Sequence, residues 1–343
     1  QPFDLYPIVT DISSAFEGAT AFDQDISGWN TISITNMSRL FKDTSYNKDI
    51  GGLNVLNVTD FKEMLHNNGA FYHDIRRLNV SSAADLTDML NGATLFKEEY
   101  GLPVTVNTPD YRFFTLFTGS VNVSFNSPLQ LRMGEYDTDV EGTKAIYGDI
   151  NHWNIDGITS FKYLTYNRSW NHDISEWKIG GTDVSNMFYG NATFNQNIST
   201  KVVTRPSGRQ YIAWDMSDKT RMEYICYSAI NFNNGDTLAS ELYEVRGGNN
   251  PINWDTRNSQ YAYNTFYGCT NFNQCVSSDH VILVANGVTE YISMDYAQDW
   301  RGGFKDYGMV NCPYFNNGDV AKGSSKPMQN KSNTTRGYYG VMG

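Results

Sequence analysis

The stretch Phe22-Asp23-Gln24-Asp25-Ile26-Ser27-Gly28-Trp29-Asn30 sets two carboxylates and a tryptophan within nine residues. Such a group reads as part of a binding site, because carboxylate oxygens in repeated turns hold divalent cations such as Ca2+. Near copies return as YNKDIGGLN from Tyr46, FYHDIRRLN from Phe71, WNHDISEWK from Trp170 and FNQNIST from Phe194. A motif that recurs is a building unit. Aligned on its leading aromatic it falls at Phe22, Tyr46, Phe71, Phe96, Phe125, Trp170, Phe194, Phe232, Phe272 and Phe315, spaced 24, 25, 25, 29, 45, 24, 38, 40 and 43 residues apart. The carboxylates at Asp25, Asp49, Asp74 and Asp173 are therefore expected to bond turn amides, as Asp does routinely. A cation-binding row is the alternative, although it is interrupted at Phe96, Phe125 and Phe194.

Other residue types that carry chemistry give less. The five histidines, His66, His73, His152, His172 and His280, make no metal or triad pattern, and His73 and His172 take the slot filled by Gln24, Gln196 and Gln274. Neither HExxH, a phosphate-binding glycine loop, GxSxG nor a dinucleotide fingerprint occurs. No catalytic residue, no metal ligand and no cofactor is assigned, and the chain reads as a non-enzyme.

The elements that must position these residues are short. In one full unit, Ile26 and Trp29 open a segment rich in β-branched residues that suits a strand. Thr35 or Asn36 then suits a helix N-cap, and Met37, Leu40 and Phe41 form one apolar stripe at helical spacing. The stripe returns at Phe61, Met64 and Leu65, at Leu86, Met89 and Leu90, and at Val184, Met187 and Phe188. The expected fold class is α/β: a leucine-rich-repeat-like solenoid of about ten strand-turn-short-helix units, with a parallel sheet on one face.

By segment, 1–100 holds regular 24–25-residue repeats with an N-terminal segment, 101–150 an irregular repeat with an insertion, and 151–200 regular repeats again. Residues 201–320 hold long repeats, and 321–343 form a polar tail. Two insertions, KVVTRPSGRQYIAW and HVILVANGVTEYIS, read as β-hairpins turning at Pro206-Ser207-Gly208 and Asn286-Gly287. The asparagine after the aromatic, at Asn47, Asn126, Asn171, Asn195, Asn233, Asn273 and Asn316, is expected to form an inward ladder that satisfies backbone groups of its own and the next unit.

A net charge of −11 with no Lys or Arg run argues against nucleic acid as a partner, and no apolar stretch is long enough to span a membrane. Cys226, Cys269, Cys275 and Cys312 lack a CxxC pair. Cys269 and Cys312 share one repeat position and could pair as a disulfide, which leaves Cys226 with Cys275; free core thiols are the alternative. Sequons stand at Asn36, Asn57, Asn79, Asn122, Asn167, Asn191, Asn197, Asn330 and Asn333. The chain opens on Gln1, so it is either a fragment or a processed product.

The segments ITNMSRLFKDTSYNKDI, TDVSNMFYGNATFNQNIS and NTFYGCTNFNQ resemble the BspA-like surface-antigen repeat, a leucine-rich-repeat relative, over roughly residues 10 to 100 and 150 to 318. That resemblance implies adhesion, surface structure or protein interaction. Three expectations follow. The first is an extracellular or cell-surface structural glycoprotein forming a rod, whose partner is itself in a homo-oligomer, filament or surface layer. The second is an adhesin or ligand-binding module for another surface protein or a glycan, with the hairpins as its contact loops. The third is a virion surface or capsid-associated protein, suggested by the FNNGD units at Phe232 and Phe315.

Overall fold

A computed structural model describes residues 9–236, short pieces at 252, 254, 259, 261, 265–269 and 271, and the backbone of two strands at 281–285 and 288–292. The chain divides into two compact units. The first holds 1–116, 139–154 and 205–209; the second holds 117–138, 155–204 and 210–343.

Within each unit the repeats stack coil on coil through the backbone. In the first, Met37, Arg39, Phe41 and Asp43 donate to the carbonyls of Asp60, Lys62, Met64 and His66 in the next coil, at 2.8, 2.9, 3.0 and 2.9 Å. Phe61, Glu63, Leu65 and Asn67 repeat this one coil later. Alternate amides instead close turns within their own coil, as Leu40 does on Met37 and Lys42 on Arg39. Every second N–H thus points to a neighbouring coil, and the backbone is satisfied without a regular element.

This differs from the strand and helix expected in each unit. The apolar stripes are buried as the core, with Met37, Leu40 and Phe41 all at 0 % exposure, but the segments bearing them are consecutive turns. The cause is a pair of left-handed residues four apart in each coil: Ser14 and Gly18, Arg39 and Asp43, Glu63 and Asn67, Asp88 and Gly92. In the second unit the pairs are Tyr163 and Asn167, Asn186 and Gly190, and Tyr224 and Ser228. A left-handed residue every fourth position breaks both a helix and a strand. The parallel sheet shrinks accordingly to single bridges, Asp11 to Asn36 to Asp60 to Asp85 and Asp183 to Arg221 to Tyr261. Ile26 and Trp29 close a turn rather than opening a strand, and Trp29 is 43 % exposed against Phe16.

The second member of each pair is Gly, Asp, Asn or Ser, the types that tolerate this conformation. Gly92 has φ +76°, and an added Cβ would lie 2.9 Å from the Asn67 Cα, whereas at Gly18, with φ +71°, nothing lies within 4 Å. Gly92→Ala should therefore cost at least about 2 kcal/mol and Gly18→Ala only about 1 kcal/mol. Urea unfolding of both variants checks the order.

Regular elements cluster in the insertion. Helix α1 spans Thr94–Glu99, α2 Pro128–Thr138 and α3 Val140–Tyr147. Ser127, Pro128 and Gln130 form a capping box with proline at the first helical position: Ser127 Oγ and the Gln130 side chain bond at 2.8 Å. The buried Gln130 amide nitrogen also donates to the carbonyls of Tyr163 and Leu164, both at 3.1 Å, which seats α2 on that coil. Strands β1 (Thr118–Ser120) and β2 (Gly157–Ser160) pair in parallel. β3 (Lys201–Thr204) and β4 (Gln210–Ala213) form an antiparallel hairpin, as do β5 (Val281–Ala285) and β6 (Val288–Ile292).

Candidate functional site

The carboxylates of the opening motif turn inward to their own backbone. Asp25, Asp49, Asp74 and Asp173 each accept the amide two residues on, at 2.8, 2.8, 2.9 and 2.8 Å. The Ser27 amide holds the Asp25 carboxyl below its ordinary range. Asp23 pairs with Lys48 at 3.0 Å. Among the described residues no group of three or more His, Cys, Asp or Glu converges.

The asparagine positions divide. Asn171 Oδ1 accepts the Asn195 amide at 2.7 Å, and Asn195 Oδ1 accepts the Asn233 amide at 2.7 Å, so three members bond in series. Asn47 accepts the Tyr72 amide at 3.3 Å. His73 and Gln196 reach back alike, to the carbonyls of Asn47 and Asn171. The row is not inward as expected: Asn233 is buried, Asn47 and Asn195 are half-buried and Asn171 is exposed. Asn126 leaves it, being exposed beside the left-handed, half-buried Phe125. Asn273 and Asn316 lie outside the described residues.

A deeper pair of asparagines was not recognised in the sequence. Asn68 and Asn191, three residues before their unit aromatics, are completely buried. Asn191 Nδ2 donates to Thr165 Oγ1 and to the Trp170 carbonyl at 3.0 and 2.8 Å, while its Oδ1 accepts the Thr193 and Phe194 amides. This corrects one sequon: a fully bonded, buried Asn191 offers a folded chain no glycosylation site. Asn57, Asn79 and Asn167 are exposed, while Asn36, Asn122 and Asn197 are half-buried; Asn330 and Asn333 lie outside the described residues. Cys226 and Cys269 are buried, with Cys269 Sγ 2.8 Å from the Cys226 carbonyl oxygen. The other halves of the expected disulfides, Cys275 and Cys312, lie outside the described residues.

The first unit gathers most of the buried charge. Glu99 is 1 % exposed; it accepts the Ser207 amide at 3.0 Å and pairs with Arg209 at 3.1 Å. Arg76 donates to the His152 carbonyl and to Asp74, and lies 4.5 Å over the Tyr100 ring. Burial raises the Asp74 pKa, but the charge and hydrogen bonds of Arg76 outweigh it and hold the carboxyl below its ordinary range. His152 donates from Nδ1 to the Glu99 carbonyl at 3.0 Å. Burial, then the nearby Arg205, push its pKa down to about 4; Arg76 acts in the same direction and Asp149 against it. Folding therefore favours neutral His152, so its contribution is present above the unfolded pKa near 6.5 and is lost as pH falls towards 4. The difference is worth on the order of 3 kcal/mol. The bonds named here join parts of the same unit, which makes the cluster an internal lock. His152→Gln should flatten the loss of stability between about pH 6.5 and 4, measured by urea unfolding at stepped pH.

The second unit carries a different feature on its surface. Tyr166, Tyr189, Tyr227 and Tyr267 stack in sequence, with ring centroids 4.9, 4.6 and 4.7 Å apart and planes within 23, 5 and 6°. Each sits immediately before the left-handed residue of its coil, Asn167, Gly190, Ser228 or Gly268. The backbone locks the register, since Asn167, Gly190 and Ser228 donate to the carbonyls of Tyr189, Tyr227 and Tyr267 at 2.7, 2.8 and 2.7 Å. Tyr163 and Tyr224 meet the row edge-on. All six rings are half-buried, and among the described residues the hydroxyls of Tyr166, Tyr189 and Tyr227 form no hydrogen bond. Burial raises the pKa of Tyr189, followed by the effects of Tyr227, Tyr166 and Tyr224. The matching positions of the first unit are Glu17, Lys42, His66 and Asn91, so the tyrosines are a property of the second unit and not of the repeat.

No curated protein and no solved structure matches the chain. One family model does, three times over, at residues 6–102, 136–246 and 209–295. Those matches cover more than half of the 343 residues and recur along them, as the matches of a repeat protein do. The chain belongs to the repeat-containing family described as "Mycoplasma protein of unknown function, DUF285".

Proposed function

We propose that this is a non-enzymatic surface-binding module, in which stacked repeats form a solenoid and the tyrosine row of the second unit is the contact face for a macromolecular partner outside the cell. The row is the observation that carries this reading. Tyrosine gives a large, amphipathic contact at low entropic cost and is enriched where proteins bind one another. Here four rings are immobilised by stacking and by backbone rungs, so a partner orders little on docking. The likeness to BspA-like surface antigens and the exposed sequons support the extracellular setting. Of the readings opened by the sequence, the binding module is the one the row favours, and it moves the contact from the hairpins to the coil face.

The test is an array of immobilised extracellular-matrix proteins and glycans probed with the full chain. Saturable binding to an array member, retained when the exposed hairpin residues Thr204 and Pro206 are replaced by alanine and lost in a folded Tyr189→Ser/Tyr227→Ser variant, supports the proposal. Binding that follows the hairpin and ignores the tyrosines would sink it.

A further inference from the structure

Two cations flank the first tyrosine of the row in sequence, Lys162 beside the Tyr163 ring that meets Tyr166 edge-on and Arg168 two residues after Tyr166. Lys162 Nζ lies 4.9 Å over the Tyr163 ring, and the Arg168 guanidinium lies 4.5 Å over Phe125. Neither side chain forms an ion pair or hydrogen bond among the described residues. The carboxylates on the adjoining coils are turned away. Asp183 accepts the amide and hydroxyl of Ser185 at 3.0 and 2.6 Å, and Glu223 is 2 % exposed and held by Arg221.

The stacking adds a second constraint. At centroid spacings of 4.6 to 4.9 Å the ring faces are occupied by one another. A sugar ring has no face to lie on between the rungs, so the row offers ring edges and hydroxyls. Aromatic edges carry the positive part of the ring quadrupole and attract carboxylates and the faces of other aromatic rings. Edges, phenolic O–H donors, an ammonium and a guanidinium all seek an electron-rich partner.

Resting on the reading of the row as a contact face, we propose that its partner is an acidic polypeptide segment in which Asp or Glu residues alternate with aromatic side chains. The carboxylates meet Lys162, Arg168 and the hydroxyls, while the aromatics take edge-to-face contacts with the row. Charge complementarity of this kind sets specificity and gives the association its salt dependence.

The probe is a fluorescein-labelled copolymer of glutamate and tyrosine, read by anisotropy against the full chain, with a lysine and tyrosine copolymer and a sulfated polysaccharide in parallel. The glutamate copolymer should bind, weaken at least about tenfold in the Lys162→Glu/Arg168→Glu variant and fall with rising salt, while the lysine copolymer, attracted only by the net charge of −11, is not weakened by the charge reversal. Circular dichroism and thermal unfolding verify that the variants fold. Failure of the glutamate copolymer to bind, or its indifference to the charge reversal, overturns the inference. Binding of the sulfated polysaccharide alone, lost in Tyr189→Ser/Tyr227→Ser, also overturns it while leaving the contact face standing. If the tyrosine variant binds every probe like the unaltered chain, the contact face itself fails.

Discussion

Asn191→Ala should destabilise the second unit by about 3 to 5 kcal/mol, more than any surface substitution in the molecule. The side chain is 0 % exposed and ties two coils together: its amide nitrogen serves Thr165 and Trp170, and its oxygen serves Thr193 and Phe194. Alanine leaves the amide and the carbonyl of buried Trp170, both bonded to this side chain, beside a void, while the Phe194 amide keeps the backbone carbonyl of residue 191. Each such orphan costs about 1 to 3 kcal/mol, and the amide cannot be replaced by an isostere that both donates and accepts. Asn191→Asp keeps the shape but removes both donors, and should cost a comparable amount at neutral pH. Equilibrium urea unfolding measures both; a loss below about 1 kcal/mol would mean that water or a neighbour reaches these groups.

Phe188→Ala should cost about 3 to 5 kcal/mol, by lost transfer energy and by the cavity left behind. The ring is fully buried, lies 3.7 Å from Phe194 with planes 9° apart, and leans on Trp214 at 6.2 Å. Its sequence neighbour behaves oppositely. Tyr189→Ser removes a half-buried ring that stacks on Tyr166 and Tyr227 and whose hydroxyl makes no hydrogen bond in the described chain, and should cost about 1 to 2 kcal/mol, well below the loss at Phe188. Adjacent aromatics with such unequal costs separate scaffold from surface. If thermal unfolding finds the two equal, the row is part of the core and the contact face loses its basis.

The spacing of apolar residues made much of the core legible. Met37, Leu40 and Phe41, with their counterparts in later coils, are buried as their pattern implies. Their helical spacing also misled, because a turn ladder with left-handed residues at Arg39 and Asp43 brings positions i, i+3 and i+4 inward just as a helix does. The corrective signal was present in the column Gly18, Asp43, Asn67, Gly92, Asn167, Gly190, Ser228 and Gly268, whose shared property is tolerance of positive φ. The insertion's helix α2 could have been read from Ser127, Pro128 and Gln130. The asparagine ladder was visible, but its depth was not, since a carboxamide can bond backbone from the surface as well as from inside.

The tyrosine row escaped for another reason. Tyr166, Tyr189, Tyr227 and Tyr267 are 23, 38 and 40 residues apart, so the β3–β4 hairpin and the unequal length of the repeats hide their periodicity until coils are aligned on the left-handed residue that follows each one. Tyrosine is also silent in any search for nucleophiles, bases or metal ligands. Its use here is collective, and four rings in register are a feature of the stacked coils that no single motif contains.

The most direct measurement is a side-by-side titration, on a ligand that the unaltered chain binds, of Tyr189→Ser/Tyr227→Ser against Lys42→Ser/His66→Ser, which alters the equivalent positions of the first unit. The tyrosine pair should lose at least about tenfold in affinity, as hot-spot aromatics do, and the control pair should bind like the unaltered chain. Unchanged affinity in the tyrosine pair, or an equal loss in both pairs, would contradict the assignment of the contact face to the tyrosine row.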